Sequence, residues 1–209
     1  MSWSSELNEL GTGAKLGRVV GLFADVHGSL PNLTGALDRC RAAGVETIAL
    51  LGDLFDRVEQ ADPCARAFAG WHVTGVWGNH EREIAQAAAE LGVLDDATVA
   101  LLQGLDEELV VEDICFAHEV PRWGHDPLAR LFRQEPAQPQ GYVARVTFAG
   151  HTHYRAARDE RGPLDVARGT LTLAPARRYL INPGALAVGQ FAILDREVGQ
   201  VSFQQVEWR

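Results

Sequence analysis

Five of the seven histidines in this chain belong to one ordered series of short motifs. Asp25-Val26-His27 comes first, then Gly52-Asp53 with Asp56-Arg57, then Gly78-Asn79-His80-Glu81, then His118 alone, then Gly150-His151-Thr152-His153. Carboxylate, amide and imidazole donors together make a ligand set for two adjacent divalent metals. A two-metal site is a machine for hydrolysing phosphate esters, because it can both activate water and stabilise charge on the phosphoryl group.

Spacing suggests a division of tasks. Asp25 and His27 are two residues apart, so an extended strand through both would put them on one face. The bland reading is a turn Asp and a surface His. Gly52 permits a tight turn, and Asp53 has two oxygens with which to bridge two metals. Arg57 presents a planar fork suited to phosphate oxygens. Asp56 and Arg57 also fit a helix-start acid and a solvated base. Asn79 offers a neutral oxygen. His80, its neighbour, points elsewhere and could act as a general acid, with Asp56 fixing its tautomer. His151 and His153 repeat the two-residue spacing.

The elements that would carry these motifs are legible. Val19 to Ala24 and Thr47 to Leu51 are apolar runs suited to buried strands. A helix is predicted from Pro31 to a stop at Gly44, a short helix over residues 62–70, and a strand from Val73 to Trp77. Residues 82–103 read as mostly helical with a break near Gly92. Strands are predicted at Leu109 to Val111, Ile114 to Ala117 and Val143 to Ala149, with a loop over residues 133–141. Beyond His153 the chain reads as all-β, with hairpin-like runs over 154–181, then Phe191 to Leu194 and Val201 to Val206. Alternating strands and helices in the front half imply parallel pairing, and the back half implies antiparallel strands. The motifs then lie at strand C-termini, where open α/β sheets place their sites.

The series DxH, GDxxDR, GNHE, H, GHxH over residues 25–153 resembles the calcineurin-like metallophosphoesterase superfamily, especially its small bacterial phosphodiesterase and diadenosine-tetraphosphatase-like members. Asn182-Pro183-Gly184-Ala185 resembles the turn that small bacterial members carry near the C-terminus. The resemblance implies a four-layer α/β/β/α sandwich of two mixed sheets flanked by helices, with a two-metal centre between the sheet edges. It implies that Asp25, His27, Asp53 and His153 hold one metal, and that Asp53, Asn79, His118 and His151 hold the other. His80 becomes the catalytic histidine, paired with Asp56, and Arg57 contacts phosphate. Three positions depart from the family pattern. Glu119 follows His118 where many members have Gly, Val58 follows GDxxDR where phosphoprotein phosphatases have Gly, and Trp77 precedes GNH where a basic residue is common.

The expected activity is binuclear, metal-dependent hydrolysis of phosphodiester or nucleotide phosphoanhydride bonds by in-line attack of a metal-bridging hydroxide. A phosphomonoesterase or protein phosphatase of the same superfamily is the alternative, followed by a non-catalytic scaffold on the same fold. The scaffold is disfavoured because such a relative lacks the GNH histidine that this chain keeps as His80. Mixed His/Asp/Asn ligation suits Mn first, with Fe, Zn, Co or Ni also fitting, over Mg.

Bulk properties set outer limits. With 209 residues, 46% apolar and 22% charged, the chain has the composition of one globular domain. Residues 1–17 read as a loose tail and 18–209 as a single domain. A net charge of −9 disfavours nucleic acid or an anionic membrane as the main partner. The expected partner is a small phosphorylated substrate, with no nucleic-acid module and no membrane contact. The family resemblance leaves a homodimer open. Cys40, Cys64 and Cys115 are widely spaced and form no CxxC, as three free thiols would be. With no apolar leader or membrane-length run, the chain is expected in the cytoplasm.

Outside the motifs, His72 reads as structural. Arg122, Trp123 and His125 follow His118 closely and are candidates to line a substrate pocket, or a surface loop with one anchoring Trp. Arg155, Arg158, Arg161 and Arg168 read as a solvated hairpin face or a positive rim that steers anions.

Overall fold

A computed structural model describes residues 15–82, 84, 92–119 and 144–206. The tail before residue 15, the predicted loop over 133–141, and the candidates Arg122, Trp123 and His125 lie outside the described residues.

Two six-stranded mixed sheets pack face to face, with helices flanking them. The first sheet is built from β1 (Val19–Phe23), β2 (Thr47–Leu51), β3 (His72–Val76), β9 (Thr170–Thr172), β11 (Gln190–Asp195) and β12 (Gln200–Gln205), in the order β3-β2-β1-β11-β12-β9. The second holds β4 (Glu108–Val111), β5 (Ile114–Ala117), β6 (Val146–Ala149), β7 (Ala156–Asp159), β8 (Gly162–Leu164) and β10 (Tyr179–Asn182), in the order β4-β5-β6-β10-β7-β8. Strands β1, β2 and β3 run parallel, as do β5, β6 and β10.

The period-2 alternation of each strand assigns its faces. Val20, Leu22, Ala49 and Leu51 point toward Phe116, Val146, Phe148 and Ile181 of the other sheet and form the inter-sheet core. Phe116 and Phe148 stack there with centroids 5.9 Å apart. Truncating either ring to Ala would cost about 3–5 kcal/mol. The alternate residues Val19, Phe23, Ile48, Leu50, Phe191 and Ile193 face outward onto α1 (Leu30–Ala42), α2 (Val58–Ala67) and α3 (Asp96–Gln103). On the outer face of the second sheet, Cys115, Thr147 and Leu180 are buried as well.

Several boundaries differ from expectation for local reasons. Helix α2 begins at Val58, not 62, because the Gln60 side chain accepts the backbone N–H groups of Asp56 and Arg57 and closes the first turn there. Pro63 therefore sits inside the helix on its exposed side. The helical run expected over 82–103 with a break near Gly92 is seen in part: residues 79–82 and 84 are helical, Gly92 lies in a turn, and α3 starts at Asp96, where Asp95 caps the N–H of Thr98 at 2.8 Å, while residues 83 and 85–91 lie outside the described residues. The run 154–181 is not a set of hairpins. Only β7 and β8 pair as one; the chain then crosses to lay β9 against β12 and returns as β10, parallel to β6.

All three cysteines are free and buried. Among the described residues no helix is long and apolar enough to cross a membrane.

Candidate metal centre

The motif loops leave the C-terminal ends of β1, β2, β3, β5 and β6 and converge on one place. Their backbones are unusual in a specific way. Asp25, His27, Asp53, His151 and His153 all have left-handed φ angles between 47° and 67°. Such conformations cost roughly 1–3 kcal/mol each and persist only where the surroundings enforce them. Here the enforcement is backbone pairing beyond the strand ends: Asp25 N–H donates to Gly52 O at 3.0 Å and His27 N–H to Asp53 O at 2.9 Å. Strand alternation is thus not what aligns Asp25 with His27. The strand has already ended at Phe23, and the loop turns each donor inward.

Two glycines are required by space. Gly52 has φ +86°, and a Cβ there would lie 2.5 Å from His118 Nδ1. A Cβ on Gly78 would lie 2.1 Å from Asp53 Oδ1.

Asp25, His27, Asp53 and His153 offer donor atoms that all lie within 4.8 Å of one another. His27 Nε2 and His153 Nε2 are 2.9 Å apart, and Asp25 Oδ1 is 3.8 Å from His153 Nε2. A second group gathers Asp53, His118 and His151. His118 Nε2 lies 3.3 Å from Asp53 Oδ2, 3.2 Å from His151 Nδ1 and 3.0 Å from Asn79 Oδ1. Asp53 belongs to both groups.

The donor set fits divalent cations. Asp25 is fully buried, and its Oδ2 has no hydrogen-bond partner. Burial raises its pKa to about 7, against the pull of His118 and the His151 N–H, so its charged form is disfavoured unless a cation sits beside it. Burial also opposes ionisation of Asp53, but the His118 hydrogen bond and charge outweigh it and lower its pKa. His118 shows the reciprocal effect: burial works against its protonation, and Asp53 overcomes that and raises its pKa. The His153 pKa is lowered by burial and by the neighbouring His27.

The far nitrogens of three imidazoles are anchored. His118 Nδ1 donates to Leu51 O at 2.7 Å, His27 Nδ1 lies 2.5 Å from Asp56 Oδ1, and His151 Nε2 lies 3.2 Å from Glu119 Oε1. The same Asp56 oxygen is 3.1 Å from His80 Nδ1, so one carboxylate serves both His27 and His80. The His80 ring stays 39% exposed, with Nε2 3.9 Å from Asp53 Oδ2. Arg57 is exposed beside Asp56 at the start of α2.

Two residues that hold the centre together had no role in the sequence reading. Glu81, the last residue of GNHE, is fully buried and accepts N–H groups from Asp53, Leu54, Phe55 and Gly78. Burial raises its pKa, and the Gly78 and Asp53 N–H groups work against that. Asn182 donates to Gly150 O at 2.8 Å and Thr152 Oγ1 at 3.0 Å, and accepts from Gly184 N–H. Just beyond, Leu186 and Ala187 N–H donate to the carbonyls of Ala24 and Asp25. The motifs GNHE and NPGA carried the signal, but neither residue type there announces a backbone clamp.

The four arginines expected as a solvated hairpin face or a positive rim divide between buried and exposed positions. Arg158 is buried, and Arg155 is half-buried, donating to Pro183 O and Gln204 O. Arg155 thereby ties a turn to a strand, while Arg161 and Arg168 are exposed.

Known proteins share this fold. The chain is 22% identical over 217 residues to an uncharacterized protein of Methanocaldococcus jannaschii, covering 91% of this chain and 88% of that one. The fold matches a metallophosphoesterase from Sphaerobacter thermophilus with a TM-score of 0.68 at 23% identity, over 91% of this chain and 89% of the other. It matches an archaeal phosphodiesterase with a TM-score of 0.58 at 19% identity, over 90% and 99%. Residues 19–196 match the calcineurin-like phosphoesterase superfamily domain. The chain therefore belongs to that superfamily and is a metallophosphoesterase, a hydrolase of phosphoric esters.

Proposed function

We propose that the chain hydrolyses phosphodiester or nucleotide phosphoanhydride bonds of a small substrate, with two divalent metal ions held side by side. The observation that carries this reading is the position of Asp53, a carboxylate common to both donor groups. One group of Asp25, His27, Asp53 and His153 and another of Asp53, Asn79, His118 and His151 would each hold one ion. Imidazole, carboxylate and amide donors favour Mn, then Fe, Co, Zn or Ni, over Mg. Two such ions supply an activated water for in-line attack on phosphorus and offset the charge of the phosphoryl group.

The chain's own groups supply the rest. His80, oriented by Asp56 through Nδ1, presents Nε2 to the side of the centre and gives a proton to the leaving oxygen. Arg57, exposed beside Asp56, would meet a phosphate oxygen. A cavity of about 470 Å³ opens beside Asn79 and His118 and is also lined by Trp77, Arg82 and Glu107. Trp77 is fixed there by its indole N–H, which donates to Leu105 O at 2.6 Å. That space beside the metal donors suits the second organic arm of a diester or dinucleotide, which a monoester lacks. Three buried free thiols fit a reducing, cytoplasmic setting.

The test is a substrate panel against a metal series: a bis-aryl phosphodiester, an aryl monoester, cyclic nucleotides and dinucleoside polyphosphates, each with Mn, Co, Zn and Mg. Manganese-dependent turnover of a diester or dinucleotide is expected to exceed that of the monoester. Preference for the monoester would overturn the substrate assignment, and inactivity on all of them the hydrolytic reading of the site.

A further inference from the structure

We propose that Glu119 is a positioning residue for the metal held by Asp53, Asn79, His118 and His151, and that it sets the affinity of that site separately from the other. The inference rests on the two-metal reading above.

His151 turns Nδ1 toward His118 Nε2, 3.2 Å away, and its opposite nitrogen Nε2 toward Glu119 Oε1, also 3.2 Å away. An imidazole has one N–H when neutral. A carboxylate at Nε2 draws the proton to that side and leaves the Nδ1 lone pair for a cation. The hydrogen bond also fixes the ring about its Cβ–Cγ bond, so the lone pair stays aimed at the donor cluster. The other group has its own version of this pairing, with Asp56 against His27 Nδ1. Each metal position thus has one histidine backed by a carboxylate, drawn from a different loop.

The two carboxylates are not equivalent in their surroundings. Asp56 also contacts His80, so its removal would disturb more than one function. Glu119 is 55% exposed at the end of β5 and contacts His151. Strands β5 and β6 run side by side to this point, and Gly150 N–H donates to His118 O at 3.1 Å, which brings the loop after β6 against the residues just past β5. That pairing sets Glu119 within reach of His151.

Glu119 also lines the cavity beside Trp77, so activity alone would not separate a metal role from a substrate role. Metal stoichiometry does. The full chain, stripped with a chelator, is titrated with Mn²⁺ by calorimetry and with Co²⁺ by absorption. The parent is expected to bind two ions. Glu119→Ala should weaken one of the two steps by about tenfold to a hundredfold and leave the other unchanged. Glu119→Gln, which keeps an acceptor oxygen, should recover part of the loss. His151→Ala should abolish the same step. If Glu119→Ala titrates like the parent, or weakens both steps equally, Glu119 does not position that site. If the parent binds no metal, the two-metal reading fails and this inference with it.

Discussion

Glu81 and Asp53 are 28 residues apart in sequence, yet the buried Glu81 carboxylate accepts the backbone N–H of Asp53 at 2.8 Å. The same oxygen accepts Gly78 N–H at 2.7 Å. One side chain therefore joins the loop after β2 to the loop after β3, and it does so at the carboxylate common to both donor groups. Asp53 returns the contact by accepting His80 N–H at Oδ1, 3.1 Å away. The geometry of the bridging position is thus set by a closed ring of hydrogen bonds, independent of any ion.

Glu81→Ala should leave buried N–H groups at Asp53, Leu54 and Gly78 without a partner, at a cost of about 3 kcal/mol or more. Urea unfolding of the metal-free protein measures this directly. Metal affinity should fall too, because the Asp53 backbone would lose the contact that holds its left-handed turn. A loss below about 1 kcal/mol would mean that water takes over the Glu81 contacts.

The parallel strands β1, β2 and β3, α1 and the motif residues that gather at the strand ends were legible in the sequence, because buried strands are uninterrupted apolar runs and candidate metal donors come in few residue types. What was hidden depends on distant partners. Glu81 carries no role in the sequence, because its four N–H partners are gathered only when the loop of Asp53 folds over it. Asn182 reads as a turn residue until Gly150 and Thr152 reach it. Arg158 looks like a solvated charge, and only the register of β7 beside β10 buries it. The α2 start was masked by Pro63, whose preference for a first turn points four residues too late. The shared role of Asp56 has no signal in spacing at all, since His27 and His80 are brought to it from two other loops.

His80→Ala and Asp53→Asn should separate catalysis from metal retention. His80 touches the centre from its exposed side, so His80→Ala should keep two ions and lose turnover by about 10²–10⁴, most severely on esters with poor leaving groups. Asp53→Asn removes a negative charge from both donor groups and should lose metal first. Elemental analysis after dialysis, alongside steady-state kinetics, distinguishes the two. Full activity of His80→Ala on an alkyl ester would show that the leaving group takes its proton from elsewhere.

Asn182→Ala should release the loop of His151 and His153 without touching a donor. It removes the bonds to Gly150 O and Thr152 Oγ1 and leaves Gly184 N–H without its acceptor. A stability loss of about 1–3 kcal/mol is expected. Metal binding should weaken through loss of order in both left-handed histidines, while Asn182→Asp, which keeps the acceptor for Gly184, should recover only part of it. Calorimetric metal titration of the two variants against the parent makes the comparison.

The metal-free protein should grow less stable as pH rises from about 5.5 to 8. Asp25 in the folded chain has a pKa of about 7 against an ordinary 3.8, because burial disfavours its charge. Between those values the native state holds a proton that the unfolded chain has released. Its contribution is therefore fully present below the unfolded value and is lost as pH climbs through 7. Over the interval from pH 5.5 to 7 this amounts to about 2 kcal/mol from Asp25 alone. His118, raised by Asp53, acts in the same direction, and its contribution too is lost as pH rises through its folded pKa. Asp53, lowered, has the opposite sense, but its loss falls at acid pH, below this interval. His153, lowered by burial from 6.5, also has the opposite sense and offsets part of the loss within the interval, without the full span of the Asp25 shift. Bound metal reverses the trend, since it requires Asp25 as a carboxylate and below pH 7 must release its proton. Thermal denaturation in chelator should give a higher Tm at pH 5.5 than at pH 8, and added Mn²⁺ should raise Tm more at pH 8. If the chelated protein instead gains stability steadily across this range, Asp25 is not held neutral in the empty centre.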